Sequence, residues 1–260
     1  MTGLAGQDPV AIKRDKGDVT MTRRRSILGA LIAGALALCA LGAANASAAN
    51  LRLHECKETI TEGTGVRFTA NCAKKDQVNG TWETVKLPPG LVKVRTTGTS
   101  KFSLKATVAG VEFKIECESV EGEGEAENTA EAMSGSSTGE SFTGCAVVKP
   151  EGKGCTVPST IKTKALSVST KEMNVNYKPQ EGETFVVITV SGCSVGALNG
   201  EKPVTGTASA VVTEEEPTSA EFTATSGSAL KFGGQTATFI GKAHSRTNVV
   251  NGNTLALETP

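Results

Sequence analysis

The chain has 260 residues, with 27 basic and 27 acidic side chains, two histidines, seven cysteines and only 4% aromatic residues. Zero net charge removes the basic field that draws proteins to nucleic acid, and two histidines leave a thin supply of metal ligands and general bases. Abundant Thr, Ser, Gly and Val favour strands and turns over helices.

Residues 1–20 carry mixed charges and read as a start-site extension ahead of Met21. Met21-Thr22-Arg23-Arg24-Arg25 then supplies a positive end, Ile27 to Ala44 carries no charge, and Ala46-Ser47-Ala48 is the small-x-small pattern cut by signal peptidase. A signal peptide over residues 21–48 is therefore expected, with cleavage between Ala48 and Ala49. The apolar run approaches the ~20 residues of a membrane span. Gly and Ala dominate it, however, and no basic stop-transfer cluster follows, so no stable membrane span is expected after cleavage. Leu38 before Cys39 argues against a lipoprotein, while Arg24-Arg25 leaves the twin-arginine route open beside the general secretory one.

Removing residues 1–48 takes away six basic and three acidic side chains, leaving 21 and 24 in a mature chain of 212 residues. That length suits one core or two small β modules, so residues 49–95 are read as an N-terminal β segment, either part of the fold or its own module, and residues 96–260 as the main domain. Six cysteines remain: Cys56, Cys72, Cys117, Cys145, Cys155 and Cys193. An even count in an exported chain points to three disulfides among fifteen possible connectivities, and the absence of C-x-x-C spacing argues against metal.

Along the mature chain, Val66, Phe68, Ala70 and Cys72 alternate as on a strand. The clearest signal surrounds Ala109-Gly110. A two-residue turn there sets Val108 against Val111, Ala106 against Phe113, Leu104 against Ile115 and Phe102 against Cys117, all on one apolar face. Slipping by one residue would turn Ser103, Lys105 and Thr107 inward, so the register is specified, although Ala109 is not the Asn or Asp preferred in such a turn.

Next come crowded carboxylates, Glu116, Glu118, Glu121, Glu123, Glu125, Glu127 and Glu131. On a strand, Glu121 to Glu127 share one face opposite Gly122, Gly124 and Ala126. They are read as a charged edge strand, with a calcium site as the alternative. Gly135-Ser136-Ser137-Thr138-Gly139 matches the G-x-S-x-G of hydrolase nucleophile elbows but lies among Ser and Gly with no α/β alternation, so a loop is expected. His54, His244 and Asp76 are the only histidines and aspartate available to a triad in the mature chain.

Further strands are predicted over residues 142–147, 160–168, 186–190, 204–213, 220–225, 229–232, 236–243 and 254–257, separated by turns such as Pro88-Pro89-Gly90, Lys149-Pro150-Glu151-Gly152 and Asn199-Gly200. The turn at Pro150 suggests a Cys145–Cys155 bridge, with Cys56–Cys72 as the next local pair and Cys117–Cys193 left over. Glu214-Glu215-Glu216-Pro217 reads as a charged turn, His244 as a solvent-exposed strand end, and Trp82 as a core residue. Many short strands and no amphipathic helix predict an all-β antiparallel sandwich or barrel.

Several segments resemble an uncharacterised family of exported, β-rich, cysteine-containing proteins of soil actinobacteria. They are Phe113-Lys114-Ile115-Glu116-Cys117-Glu118, Phe142-Thr143-Gly144-Cys145, Gly154-Cys155-Thr156-Val157, Ile161 to Leu166, Phe185 to Asn199, and Ala229 to Gln235 running into Phe239-Ile240-Gly241. The resemblance spans residues 80–245 and implies an exported β domain, without any activity. The expected function is thus a secreted, non-enzymatic binding or surface module for an extracellular or envelope ligand. Neither a catalytic set, a cofactor nor a metal site is expected. The alternatives are a secreted hydrolase using Ser137 or a Glu pair with His244, and a calcium-dependent adhesive module.

Overall fold

In the computed structural model, which describes residues 49–58 and 65–259, the regular elements are strands and two short 3-10 turns. The strands are β1 Arg52–Glu58, β2 Trp82–Lys86, β3 Leu91–Gly98, β4 Phe102–Val108, β5 Val111–Cys117, β6 Ser119–Asn128, β7 Met133–Thr143, β8 Ala146–Lys149 and β9 Thr160–Lys162. They continue as β10 Leu166–Lys171, β11 Asn174–Pro179, β12 Thr184–Val190, β13 Gly200–Thr213, β14 Glu216–Phe222, β15 Ala229–Phe232, β16 Gln235–Ala243, β17 Ser245–Asn248 and β18 Leu255–Glu258. The leader expected over residues 21–48, with its cleavage after Ala48, lies outside the described residues. Among the described residues no helix is long and apolar enough to cross a membrane.

The fold is all-β and every ladder is antiparallel, as the strand pattern requires. The β4–β5 hairpin has the register the alternation specifies, with Phe102 facing Cys117, Leu104 facing Ile115, Ala106 facing Phe113 and Val108 facing Val111. Ala109 and Gly110 take φ values of 50° and 78°, both left-handed, so the turn is of the primed kind that matches strand twist.

A ring of strands runs β3, β6, β7, β10, β11, β13, β14 and β16. It closes because β16 passes through His244 into β17, which pairs back onto β3. A second sheet has the order β12, β13, β15, β16, β4, β5, β8. Two strands belong to both. The first part of β13 pairs with β12 and β15 and its later part with β11 and β14; β16 likewise leaves β15 and β4 to join β14. Glycine marks both crossings. Gly206 takes φ of 114°, and at Gly241 a Cβ would lie 2.2 Å from the Phe102 ring.

A three-stranded sheet, β18-β1-β2, joins the two ends of the described chain. It is fastened to the ring by Leu51 and Leu53, both fully buried, and by side chains that complete their backbone hydrogen bonds. The Thr170 hydroxyl donates to the Leu51 carbonyl at 2.9 Å, and the Asn128 amide bonds both the N–H and the carbonyl of Leu53. Beneath this sheet Cys56, Phe68, Cys72 and Ala256 form a small apolar cluster against which the half-buried Trp82 packs.

Four expectations are corrected. The disulfides are Cys117–Cys145 and Cys155–Cys193, whereas Cys145–Cys155 and Cys117–Cys193 were expected. The register decides this: Glu116 pairs with Ala146, bringing Cys117 opposite Cys145, and the Thr156–Ser191 bridge brings Cys155 beside Cys193. Cys56 and Cys72 are buried free thiols in mutual contact. The Val66–Cys72 run is not a strand, since Phe68 makes only isolated bridges and residues 70–72 form a 3-10 turn with Asn71 and Cys72 left-handed. The carboxylate-rich β6 is not an edge, because β3 and β7 flank it. Residues 160–168 break into β9 and β10, which pair with different parts of β7.

Candidate functional site

Where the ring meets the second sheet, aromatic side chains gather although they are scarce in the sequence. Phe239 stands 5.0 Å from Phe222, 5.7 Å from Phe142 and 6.0 Å from Phe102, and Tyr177 lies 5.6 Å from Phe222 with the two rings tilted by 42°. They are the inward residues of strands from both layers, which period-two alternation delivers to one interior. With Leu104, Ile115, Leu166, Ile188, Val204 and Leu230 they line a cavity of about 120 Å³. Its wall is overwhelmingly apolar, with Thr96, Glu140, Thr163 and Tyr177 as the polar exceptions.

Glu140 is the unusual member. It follows Gly139, whose φ of 115° turns β7 at the point where its pairing passes from β10 to β9. The Glu140 backbone exchanges hydrogen bonds with Thr163, and its carboxyl lies over Gly122, where a Cβ would stand 1.8 Å from Oε2. Ser137 Oγ donates to Glu140 Oε1 at 2.7 Å. Burial raises the Glu140 pKa above the ordinary carboxyl value, and the Ser137 hydrogen bond offsets part of the rise.

A second cavity of about 50 Å³ adjoins the first, sharing Thr96, Glu140 and Tyr177 in its wall. Its other lining includes Gly122, Glu123, Glu125, Ser137, Val175 and Arg246. Arg246 is 6% exposed; Nη1 donates to the Thr218 carbonyl at 3.4 Å, and Nη2 has no partner. The Tyr177 hydroxyl adjoins the guanidinium. Burial lowers the Arg246 pKa and raises that of Tyr177.

The residues singled out in the sequence are placed elsewhere or engaged. Ser137 lies within β7, not a loop, is 7% exposed and is hydrogen-bonded to Glu140 and the Gly139 N–H. Neither histidine lines either cavity. His54 is buried on β1 with Nδ1 3.2 Å from the Arg52 carbonyl, and His244 is exposed between β16 and β17. Asp76 caps its own turn, accepting from the N–H groups of Val78 and Asn79. Glu121, Glu123 and Glu125 point outward from β6, where Arg95 bonds Glu123 at 2.9 Å, and no described group of three acidic, His or Cys side chains is arranged to hold a metal. Glu216 pairs with Lys242.

Nothing in the sequence singled out Glu140 or Arg246. Alternation along β7 is hidden by Gly and Ser, and a lone Arg near a chain end reads as surface. No protein-family model matches the chain, and neither a curated protein nor a solved structure does.

Proposed function

We propose that the chain is exported and works outside the cytoplasm as a non-enzymatic β module that takes a small apolar molecule into the aromatic cavity. The cavity carries this reading: about 120 Å³ of space walled by Phe102, Phe142, Phe222 and Phe239. A void that size left dry forfeits packing, and apolar cavities of about 150 Å³ accept benzene-sized ligands. Two cross-links and an N-terminal leader pattern support an oxidising destination. Ser137, held by Glu140 away from any histidine, favours binding over a Ser-His mechanism.

Toluene titrated into protein recovered from the culture medium should shift the resonances of the cavity phenylalanines and raise Tm, and Ala208→Leu, which fills the space, should remove both effects. Absence of binding to the wild-type protein would end the ligand part of the reading. Amino-terminal sequencing of the same material should begin at Ala49, and intact precursor confined to the cytoplasm would end the export part.

A further inference from the structure

A buried guanidinium is among the costlier groups to leave half-satisfied, because its charge persists at every ordinary pH and water is no longer there to solvate it. Arg246 is in that position. Nη1 is tied to the Thr218 carbonyl, Nη2 is buried without a hydrogen-bond partner, Arg246 contributes to the wall of the smaller cavity, and among the described residues no carboxylate pairs with it. Beside it stands the Tyr177 hydroxyl, a second donor, and Tyr177 also walls the larger apolar cavity.

Resting on the cavity reading above, we infer that Arg246 and Tyr177 form the head site for the carboxylate of a small organic acid whose apolar body occupies the aromatic cavity. Two donors side by side match the two oxygens of a carboxylate, and the planar guanidinium suits it better than a bulkier anion in about 50 Å³. Gly122, Gly124 and Gly135 contribute to the wall of the smaller cavity, and the Glu140 carboxyl lies over Gly122. Three acidic residues contribute to the walls: Glu123 and Glu125 belong to the exposed face of β6, and Glu140 is held on the inside by the Ser137 hydroxyl at 2.7 Å.

Three probes separate the parts: acetate carries the head alone, toluene the ring alone, and benzoate both. Calorimetric titration should give benzoate an affinity at least about tenfold above toluene, with that advantage lost in Arg246→Met while toluene binding stays unchanged. Tyr177→Phe keeps the ring packing and removes one donor, so it should weaken benzoate about threefold or more and spare toluene, which keeps the test open should Arg246→Met misfold. Benzoate binding no tighter than toluene, or equally well in both variants, overturns the carboxylate head site and leaves the apolar cavity standing. Arg246-dependent acetate binding without toluene binding supports the head site and overturns the apolar reading. Silence from all three probes overturns both.

Discussion

Asn128 holds Leu53 at both its backbone donor and its acceptor: Leu53 N–H donates to Asn128 Oδ1 at 2.8 Å, and Asn128 Nδ2 donates to the Leu53 carbonyl at 2.9 Å. A side-chain amide thus takes the part of a neighbouring strand for β1, whose partners along the ladder are β18 and β2. Replacing Asn128 by Ala strands the buried Leu53 N–H, worth about 1 to 3 kcal/mol when unsatisfied, while the Leu53 carbonyl keeps the Leu87 N–H at 3.3 Å. Urea unfolding of Asn128→Ala should show a loss in that range or above it; a loss below about 0.5 kcal/mol would mean that water replaces the amide.

Ala109 occupies a left-handed conformation that costs an L-residue with a Cβ about 1 kcal/mol, and it is exposed with nothing to repay that cost. Ala109→Asn creates the Asn-Gly pair that primed turns prefer. Stability should rise by about 0.5 to 1 kcal/mol in chemical denaturation, and a neutral or negative change would show that the turn differs in solution.

Cys155 and Cys193 close a loop of 38 residues between the segments flanking the Thr156–Ser191 bridge. Replacing both by Ala should lower stability by about 3 kcal/mol, chiefly by freeing the unfolded chain. Equal midpoints for the variant and wild type under oxidising conditions would show that this bridge contributes nothing.

Cys56 and Cys72 touch in an apolar cluster, and the hydrogen bond between them together with burial pushes the Cys56 thiol well above its ordinary pKa. As thiols they should resist alkylating reagents in the native state. Non-reducing peptide mapping should recover Cys117–Cys145 and Cys155–Cys193 as the bridges, with Cys56 and Cys72 as thiols that label only after denaturation. Recovery of a Cys56–Cys72 bridge, or labelling of either thiol in the native state, would overturn this.

Glu140 gives stability a slope of opposite sign to Glu55, Glu116 and Glu216. Its folded pKa is raised, so its contribution is full below the ordinary carboxyl pKa and is lost as pH climbs through the raised value. Glu55, Glu116 and Glu216 are held low, first by hydrogen bonds from Asn253, Lys114 and Lys242 respectively, so what they add is present at neutral pH and lost on acidification. Subtracting the profile of Glu140→Gln, which preserves an acceptor for Ser137, should leave a difference that grows in favour of the variant as pH rises above the ordinary carboxyl range. A flat difference would show that Glu140 ionises without cost.

How legible this was varied with the side chains available to carry the pattern. The β4–β5 hairpin could be read residue by residue because large apolar groups alternate with charged ones. β6 and β7 were obscured because their inward positions are Gly122, Gly124, Ala126, Gly135 and Ser137, which fit a crowded ring but carry no hydrophobic signal. Cysteine pairing depended on which strands become neighbours, and β8 turns back onto β5 rather than onto the segment after Pro150. Arg246 and Glu140 were invisible for a related reason: a charge in an interior is a property of the closed ring, and composition places such residues outside.

The sharing of β13 and β16 between ring and sheet has a bearing on how the molecule comes apart. Each of these strands is covalently common to both layers, so peeling either layer away tears pairs from the other. No hinge line divides the two, and neither layer can serve as a separately folding half. Melting should therefore be a single cooperative event, and a protease should find the interior only after the whole has opened.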